Sequence, residues 1–225
     1  MKRIVLFVEG DGDALAVPVL VGRLLEGLQP WDCLYLDPRP FVVRGVGRLL
    51  KNDCENWIRW LGAAAKRREV GAVLLLLDGD MPRIHGKLFC AANVARRLAR
   101  EATRARGGKL FSVATVFACQ EYESWLIAGV ESLAGNPLKD GRPGVRFGTT
   151  PPDGDLESVP RDAKGWLSKV MASGYNSVRD QAPLTEIVDW DVVRNRPMRS
   201  FRRLENAVSQ IVSAIRNESP LTSPS

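Results

Sequence analysis

An α/β fold, a parallel sheet of about four strands flanked by helices, is predicted by three features of the sequence. Residues 72–77 are uncharged and apolar and run straight into Asp78-Gly79-Asp80, the pattern of a strand buried on both faces. Short apolar segments alternate with segments of helical period, which argues for parallel strands joined by right-handed crossovers. Two of the strands end in acidic, glycine-containing turns, and open α/β sheets bind ligands outside the carboxyl ends of their strands.

The first strand covers residues 4–8 and ends in Glu9-Gly10-Asp11-Gly12-Asp13. Asp13 is placed to cap a helix over 14–28, with Pro18 near the first turn, where proline is tolerated. Residues 29–40 hold Pro30, Pro38 and Pro40 and read as irregular; 41–43 form a weaker strand. Arg44-Gly45-Val46-Gly47-Arg48 reads as a turn ahead of a phosphate loop, because a lone GxG is a weak signal. A helix over 49–68 turns Trp57, Trp60 and Leu61 to the core, and Lys66-Arg67-Arg68 complements the dipole at its end. After the central strand, residues 81–87 form a loop that carries Arg83 and Lys87 beside the acids. The only histidine, His85, lies in this loop and reads as loop structure ahead of a catalytic base.

A basic helix over 88–106, with Arg96, Arg97, Arg100, Arg104 and Arg106, presents a solvated face that could also follow a nucleic-acid backbone. Gly107-Gly108 ends it, residues 111–117 make the fourth strand, and a further helix opens around Glu121 and Glu123. Composition changes to Gly, Pro and Asp over 135–160, a long loop. Helices follow over 161–172 and 198–216, with a connection at 175–183. The expected organisation is an α/β domain over 1–134, a loop and helical appendage packed on it over 135–217, and a frayed tail over 218–225.

The chain has 225 residues, of which 45% are hydrophobic, enough for a sizeable core. Its net charge of +6 favours anionic partners such as nucleic acid. Cys33, Cys54, Cys90 and Cys119 are far apart and form no CxxC pair, which argues against a thiolate zinc site and for a reducing, cytoplasmic setting. No signal peptide and no run of about 18 apolar residues is found, so no membrane association is expected. There is no GxxxxGK[ST] motif, so any ATP hydrolysis would belong to a partner.

Acids recur at three strand ends: Glu9 with Asp11 and Asp13, Asp78 with Asp80, and Glu121 with Glu123. A parallel sheet brings these ends to one edge. Crowded carboxylates need a cation, or one of them must take a proton. With no His or Cys cluster, a hard cation, Mg2+ or Mn2+, is the expected cofactor, and it would polarise a phosphodiester.

Val8-Glu9-Gly10 and Asp78-Gly79-Asp80 resemble the two signature motifs of the TOPRIM domain, found in topoisomerases, bacterial primases, recombination-mediator proteins and OLD-family nucleases. Glu121-Tyr122-Glu123-Ser124-Trp125-Leu126 and Arg199-Ser200-Phe201-Arg202-Arg203-Leu204 extend the resemblance to bacterial TOPRIM-like proteins encoded beside AAA- or ABC-type ATPases. The resemblance implies a metal-dependent nuclease. Glu9 would be a metal ligand or general acid/base, Asp78 and Asp80 the metal pair, and Glu123, ahead of Glu121, the completing acid. Helical period is expected to turn only one of residues 121 and 123 into the site. Lys87 or Arg83 would steady charge on the phosphate, and Arg83, Arg199, Arg202 and Arg203 would contact nucleic acid. For Arg199 to Arg203 the start of an amphipathic helix is an equal reading. Lys164 and Lys169 could also reach the site if the appendage folds over the acidic edge, which the sequence alone does not show.

The alternative function is a regulatory subunit on the same scaffold, binding nucleic acid or an ATPase partner, in antiphage or mobile-element defence. None of Tyr35, Tyr122 and Tyr175 has a DNA-gate context, so topoisomerase activity is not expected. A receiver domain is the weaker fold alternative, since it gives Asp80 no role.

Overall fold

Two strands that are apolar on both faces set the architecture, because each face then needs its own helical cover. The structure is a computed structural model; it describes residues 1–84, 86–158 and 162–224, without the side chain of Lys87. In chain order, β1 (Lys2–Val8) leads to α1 (Asp11–Leu28), β2 (Leu34–Leu36), β3 (Phe41–Val42), α2 (Val46–Ala65) and β4 (Val70–Asp78). A small hairpin of β5 (Arg83–Ile84) and β6 (Lys87–Leu88) precedes α3 (Ala91–Ala102) and β7 (Ser112–Ala118). Then come α4 (Glu123–Ala128), α5 (Val130–Leu133), α6 (Ala163–Val170), α7 (Ser177–Ile187), α8 (Trp190–Arg194), α9 (Arg199–Arg216) and β8 (Thr222–Ser223).

The main sheet is parallel throughout, in the order β2-β1-β4-β7-β8, with β3 also paired to β1. It therefore has six strands where about four were expected. The additional β2 lies in the stretch read as irregular: it pairs with residues 2–4 of β1, and β3 with residues 7–8 of the same edge. Pro38 and Pro40 fall between them, and a proline has no amide for the ladder. The other additional strand is β8. It forms in the segment expected to fray and pairs with Val113 and Ala114 of β7.

Side chains at 4, 6, 8, 74 and 76 face a layer formed by α1, α4, α7 and α9. Those at 5, 7, 73, 75 and 77 face α2 and α3. The helices after residue 160 share the first layer: Phe201, Leu204, Val208 and Ile211 of α9 are buried in it. Trp125 of α4 donates its indole N–H to Ser200 Oγ at 2.9 Å. Among the described residues no helix is long and apolar enough to cross a membrane.

Several local expectations change. α1 begins at Asp11, so Asp13 is its third residue and accepts the Gly10 amide from inside the helix, at 2.9 Å. Pro18 consequently lies in the third turn, where its missing amide leaves the Ala14 carbonyl without a helical partner. α2 is broken at residues 51–54: Asn52, Asp53 and Cys54 have φ of 49°, 50° and 64°. A helix, α7, occupies the stretch read as a connection, opened by Asn176, whose side chain accepts the Arg179 amide. Pro183 inside it frees the Arg179 carbonyl, and Arg142 Nη2 donates to that oxygen at 3.2 Å.

Candidate functional site

The carboxyl ends of β1, β4 and β7 lie side by side, and their acids meet there. Glu9, just after β1, accepts the Asp78 amide on Oε2 at 3.2 Å, which ties the ends of two neighbouring strands together. Asp78 closes β4 and accepts the Tyr122 amide on Oδ1 at 2.9 Å, a link to the turn after β7. Gly79 is required by close approach: a Cβ there would lie 2.7 Å from the Ala118 carbonyl oxygen of β7. Asp13 accepts from Gln181 Nε2 of α7 at 2.7 Å. Glu123 opens α4 and accepts the Tyr175 hydroxyl on Oε1 at 2.8 Å.

At the centre stands Lys164, the second residue of α6. Its Nζ lies 3.2 Å from Glu123 Oε2, 3.5 Å from Glu121 Oε1 and 3.6 Å from Asp78 Oδ2. Asp162 anchors this helix start by accepting the Gly165 amide at 2.8 Å. The loop and helices after residue 135 thus fold back over the acidic edge and bring a cation into it.

The electrostatics follow from burial and crowding. Burial pushes the Glu9 carboxyl up, and Asp13 and Asp80 add to the push against the hydrogen bond from the Asp78 amide. Burial also raises Asp13. Asp78 is raised well above its ordinary value, by burial first and then by Asp13 and Glu123. Glu123 is raised by burial, against the pull of Lys164 and Tyr175. Burial works against the charge on Lys164, but Glu123, Asp78 and Glu121 outweigh it and raise its pKa.

Of the predicted site residues, Glu9, Asp78 and Glu123 are brought together. Glu121 joins them, contrary to the expectation that period would admit only one of the pair. α4 starts at Glu123, so Glu121 lies in the preceding turn and helical spacing does not apply to it. Asp80 is exposed at the rim, in a cleft with Met81, Pro82 and Gln120. Arg83 donates to the Gly86 carbonyl of its own hairpin. Arg199 pairs with Glu157, Arg202 donates to the Arg196 carbonyl, and Arg203 to Ser223 Oγ; none of the three touches the acids. The Lys87 side chain and His85 lie outside the described residues. Lys164, expected to reach the site only if the appendage folds over the acidic edge, does so, whereas Tyr175 was missed.

The donor set suits a hard cation, since every acidic atom is a carboxylate oxygen. Glu121 Oε2 is buried without a hydrogen-bond partner, and Glu123 Oε2 is met by the Lys164 ammonium at 3.2 Å. In this arrangement the ammonium takes the central position, and among the described residues no three acidic, histidine or cysteine side chains are grouped to hold an ion.

A family model described as a domain of unknown function, DUF4276, matches residues 8–209. The chain belongs to the DUF4276 family. Within this DUF4276 chain the match spans every acid of the cluster and Lys164, and it runs into α9. No curated protein and no solved structure matches it significantly.

Proposed function

We propose that this DUF4276 chain is a nuclease that hydrolyses phosphodiesters of DNA or RNA with Mg2+ or Mn2+ at the acidic edge of the sheet, on a TOPRIM-like scaffold. One observation carries the reading: Glu9, Asp13, Asp78, Glu121 and Glu123 converge from separate segments at the ligand-binding edge of a parallel sheet. Mutual repulsion and desolvation make such a cluster unfavourable for stability, and the fold itself does not require it.

Glu9, Asp78 and Glu123 would hold the ion, with Asp80 at the rim, once Lys164 yields the central position it takes in this arrangement. A bound Mg2+ or Mn2+ supplies polarisation of the phosphate and a water acidified towards neutral pH. Asp78 is oriented by the Tyr122 amide and Glu123 by the Tyr175 hydroxyl, so both are positioned in advance. Glu9, raised by burial, is suited to take up and release a proton. Lys164 would balance charge on the phosphate, the role first assigned to Lys87 or Arg83. The exposed Arg83, Arg199 and Arg202 would contact the nucleic-acid backbone away from the acids, whereas the half-buried Arg203, first grouped with them, donates to Ser223 Oγ. An AAA- or ABC-type ATPase partner, a cytoplasmic setting and a defence role belong to the proposal through the TOPRIM-like resemblance.

One observation favours a second reading. Lys164 already neutralises part of the cluster, as it would in a regulatory subunit that binds nucleic acid or an ATPase without cleaving. Mn2+ titration followed by EPR separates the two, run on the wild type and on Asp78→Asn/Glu123→Gln, beside cleavage assays on plasmid, linear DNA and RNA. Mn2+ binding and cleavage that both vanish in the variant are the expected result. A wild type that neither binds Mn2+ nor cuts any of the three substrates overturns the nuclease reading and leaves the regulatory one.

A further inference from the structure

A second cleft lies on the opposite flank of β7 from β4. Among the described residues β8 pairs with that edge only at Val113 and Ala114. Beyond them, α3 and α9 enclose a cleft of about 410 Å3 over the uncovered edge. Its walls are mainly small and apolar: Ala91, Ala92 and Ala95 from α3, and Val116 and Phe117 from β7. The volume and lining are those of a small-molecule site, about 300–1,000 Å3 and mostly apolar with a few polar groups.

The polar groups are unequally distributed. Thr115 Oγ1 is fully buried, lines the cleft and has no hydrogen-bond partner. At one end Glu157 is satisfied on both oxygens, by the Ser200 amide at 2.6 Å and by Arg199 Nε at 3.3 Å. The other end is marked by Pro224. Arg203 donates to Ser223 Oγ there at 2.7 Å, and Arg96 lines both this cleft and the adjoining basic trough past Pro224. Among the described residues neither Arg96 nor Arg203 pairs with a carboxylate: Arg96 bonds the Ala92 carbonyl and Asn93 Oδ1. Arg203 is half-buried, and burial alone lowers its pKa. A guanidinium withdrawn from water without an anion is unfavourable, and an acid head is the group that relieves it.

We propose that this cleft binds an amphipathic small-molecule anion. The acid head, a carboxylate, sulfonate or phosphate, lies at the Pro224 end against Arg96 and Arg203. The apolar body covers Ala95, Val116 and Phe117, and a polar atom on it reaches Thr115 Oγ1. This site is separate from the acidic edge and does not depend on nuclease activity.

Titration of the full chain with 8-anilinonaphthalene-1-sulfonate, followed by fluorescence and calorimetry, tests it. The uncharged analogue N-phenyl-1-naphthylamine is run beside it, on wild type, Arg96→Gln and Ala92→Leu. Both substitutions sit at exposed positions of α3, and thermal melts confirm that the variants are folded. The expected result is one saturable sulfonate site, weakened about tenfold by Arg96→Gln, the scale of one lost charge-assisted contact. Ala92→Leu, which fills the cleft, should weaken both probes, whereas Arg96→Gln should leave the uncharged one unchanged. Absence of a saturable site, or sulfonate affinity indifferent to both substitutions, overturns the proposal.

Discussion

Replacing Lys164 by methionine keeps most of the side-chain volume and removes the one cation that, among the described residues, is placed among the acids. At separations of 3.2, 3.5 and 3.6 Å, each contact is worth about 5 kcal/mol gross at an effective dielectric of about 20. Two effects cut this sharply. Desolvating the ammonium and the carboxylates costs several kcal/mol per ion. The lysine side chain is also 43% exposed, so water screens it. Breaking a fully buried pair costs about 3–5 kcal/mol, and the screened value here is about 2–3 kcal/mol near pH 8. For a chain of this size that lowers Tm by about 5–10 °C.

The pH dependence has a definite sign. Glu9, Asp13, Asp78 and Glu123 already have raised carboxyl pKa values. Loss of Lys164 raises them further, so the folded variant binds more protons than its unfolded chain. Its stability is then fullest below the unfolded carboxylate range and falls as pH rises through the folded values. Thermal melts of Lys164→Met and wild type should diverge between pH 5 and pH 8, with the deficit largest at pH 8. Millimolar Mg2+ should recover more of the loss in the variant than it adds to the wild type, because the vacated centre is lined by carboxylates. Equal melting curves at pH 8, or a deficit that shrinks as pH rises, would refute the idea that Lys164 holds the cluster together.

Two further outcomes test the scaffold. Asp37 is buried and accepts from Arg3 at 2.7 Å and Arg67 at 2.9 Å; burial pushes its carboxyl up, but bonds from Arg3, the Arg39 amide and Arg67 together hold it below its ordinary value. Asp37→Asn should cost about 3 kcal/mol at neutral pH, and urea melts should show the gap closing as pH falls from about 4, where the unfolded chain's carboxylate takes up its proton, through the lower pKa of the folded state. Gly12→Ala would drive a Cβ against Gln181 Oε1 and to 2.8 Å from the Ser177 carbonyl oxygen, so denaturant unfolding should show a loss of about 1–3 kcal/mol; a neutral result would mean that α1 and α7 are not so closely packed.

The sheet was legible because β1 and β4 are apolar on both faces, a pattern that few other structures produce. The break in α2 was not. Residues 51–54 contain neither glycine nor proline, and the left-handed Asp53 is held by Arg97 and Arg104, tertiary partners from beyond β4. α7 was hidden for a similar reason, since the donor that compensates Pro183 is Arg142, in a loop with no local signal. The same contrast divides the acid cluster. Glu9, Asp78 and Glu123 could be read because parallel strands deliver their ends to one edge whatever the loops do. Lys164 could be read only on the condition that the appendage folds over that edge, because it follows a long loop and neither propensity nor period fixes where a chain returns after one. Charge balance was the available signal: an edge that gathers Glu9, Asp13, Asp78, Glu121 and Glu123 must draw a cation from somewhere. Beyond residue 135 the chain has only Lys139, Lys164 and Lys169 to supply an ammonium. Lys139 pairs with Glu186, whereas Lys164 sits in the first turn of a helix whose start Asp162 fixes. A lysine on a fixed helix start can be held at a buried anionic centre with less loss of freedom than one on a loop, and that selects Lys164 on physical grounds.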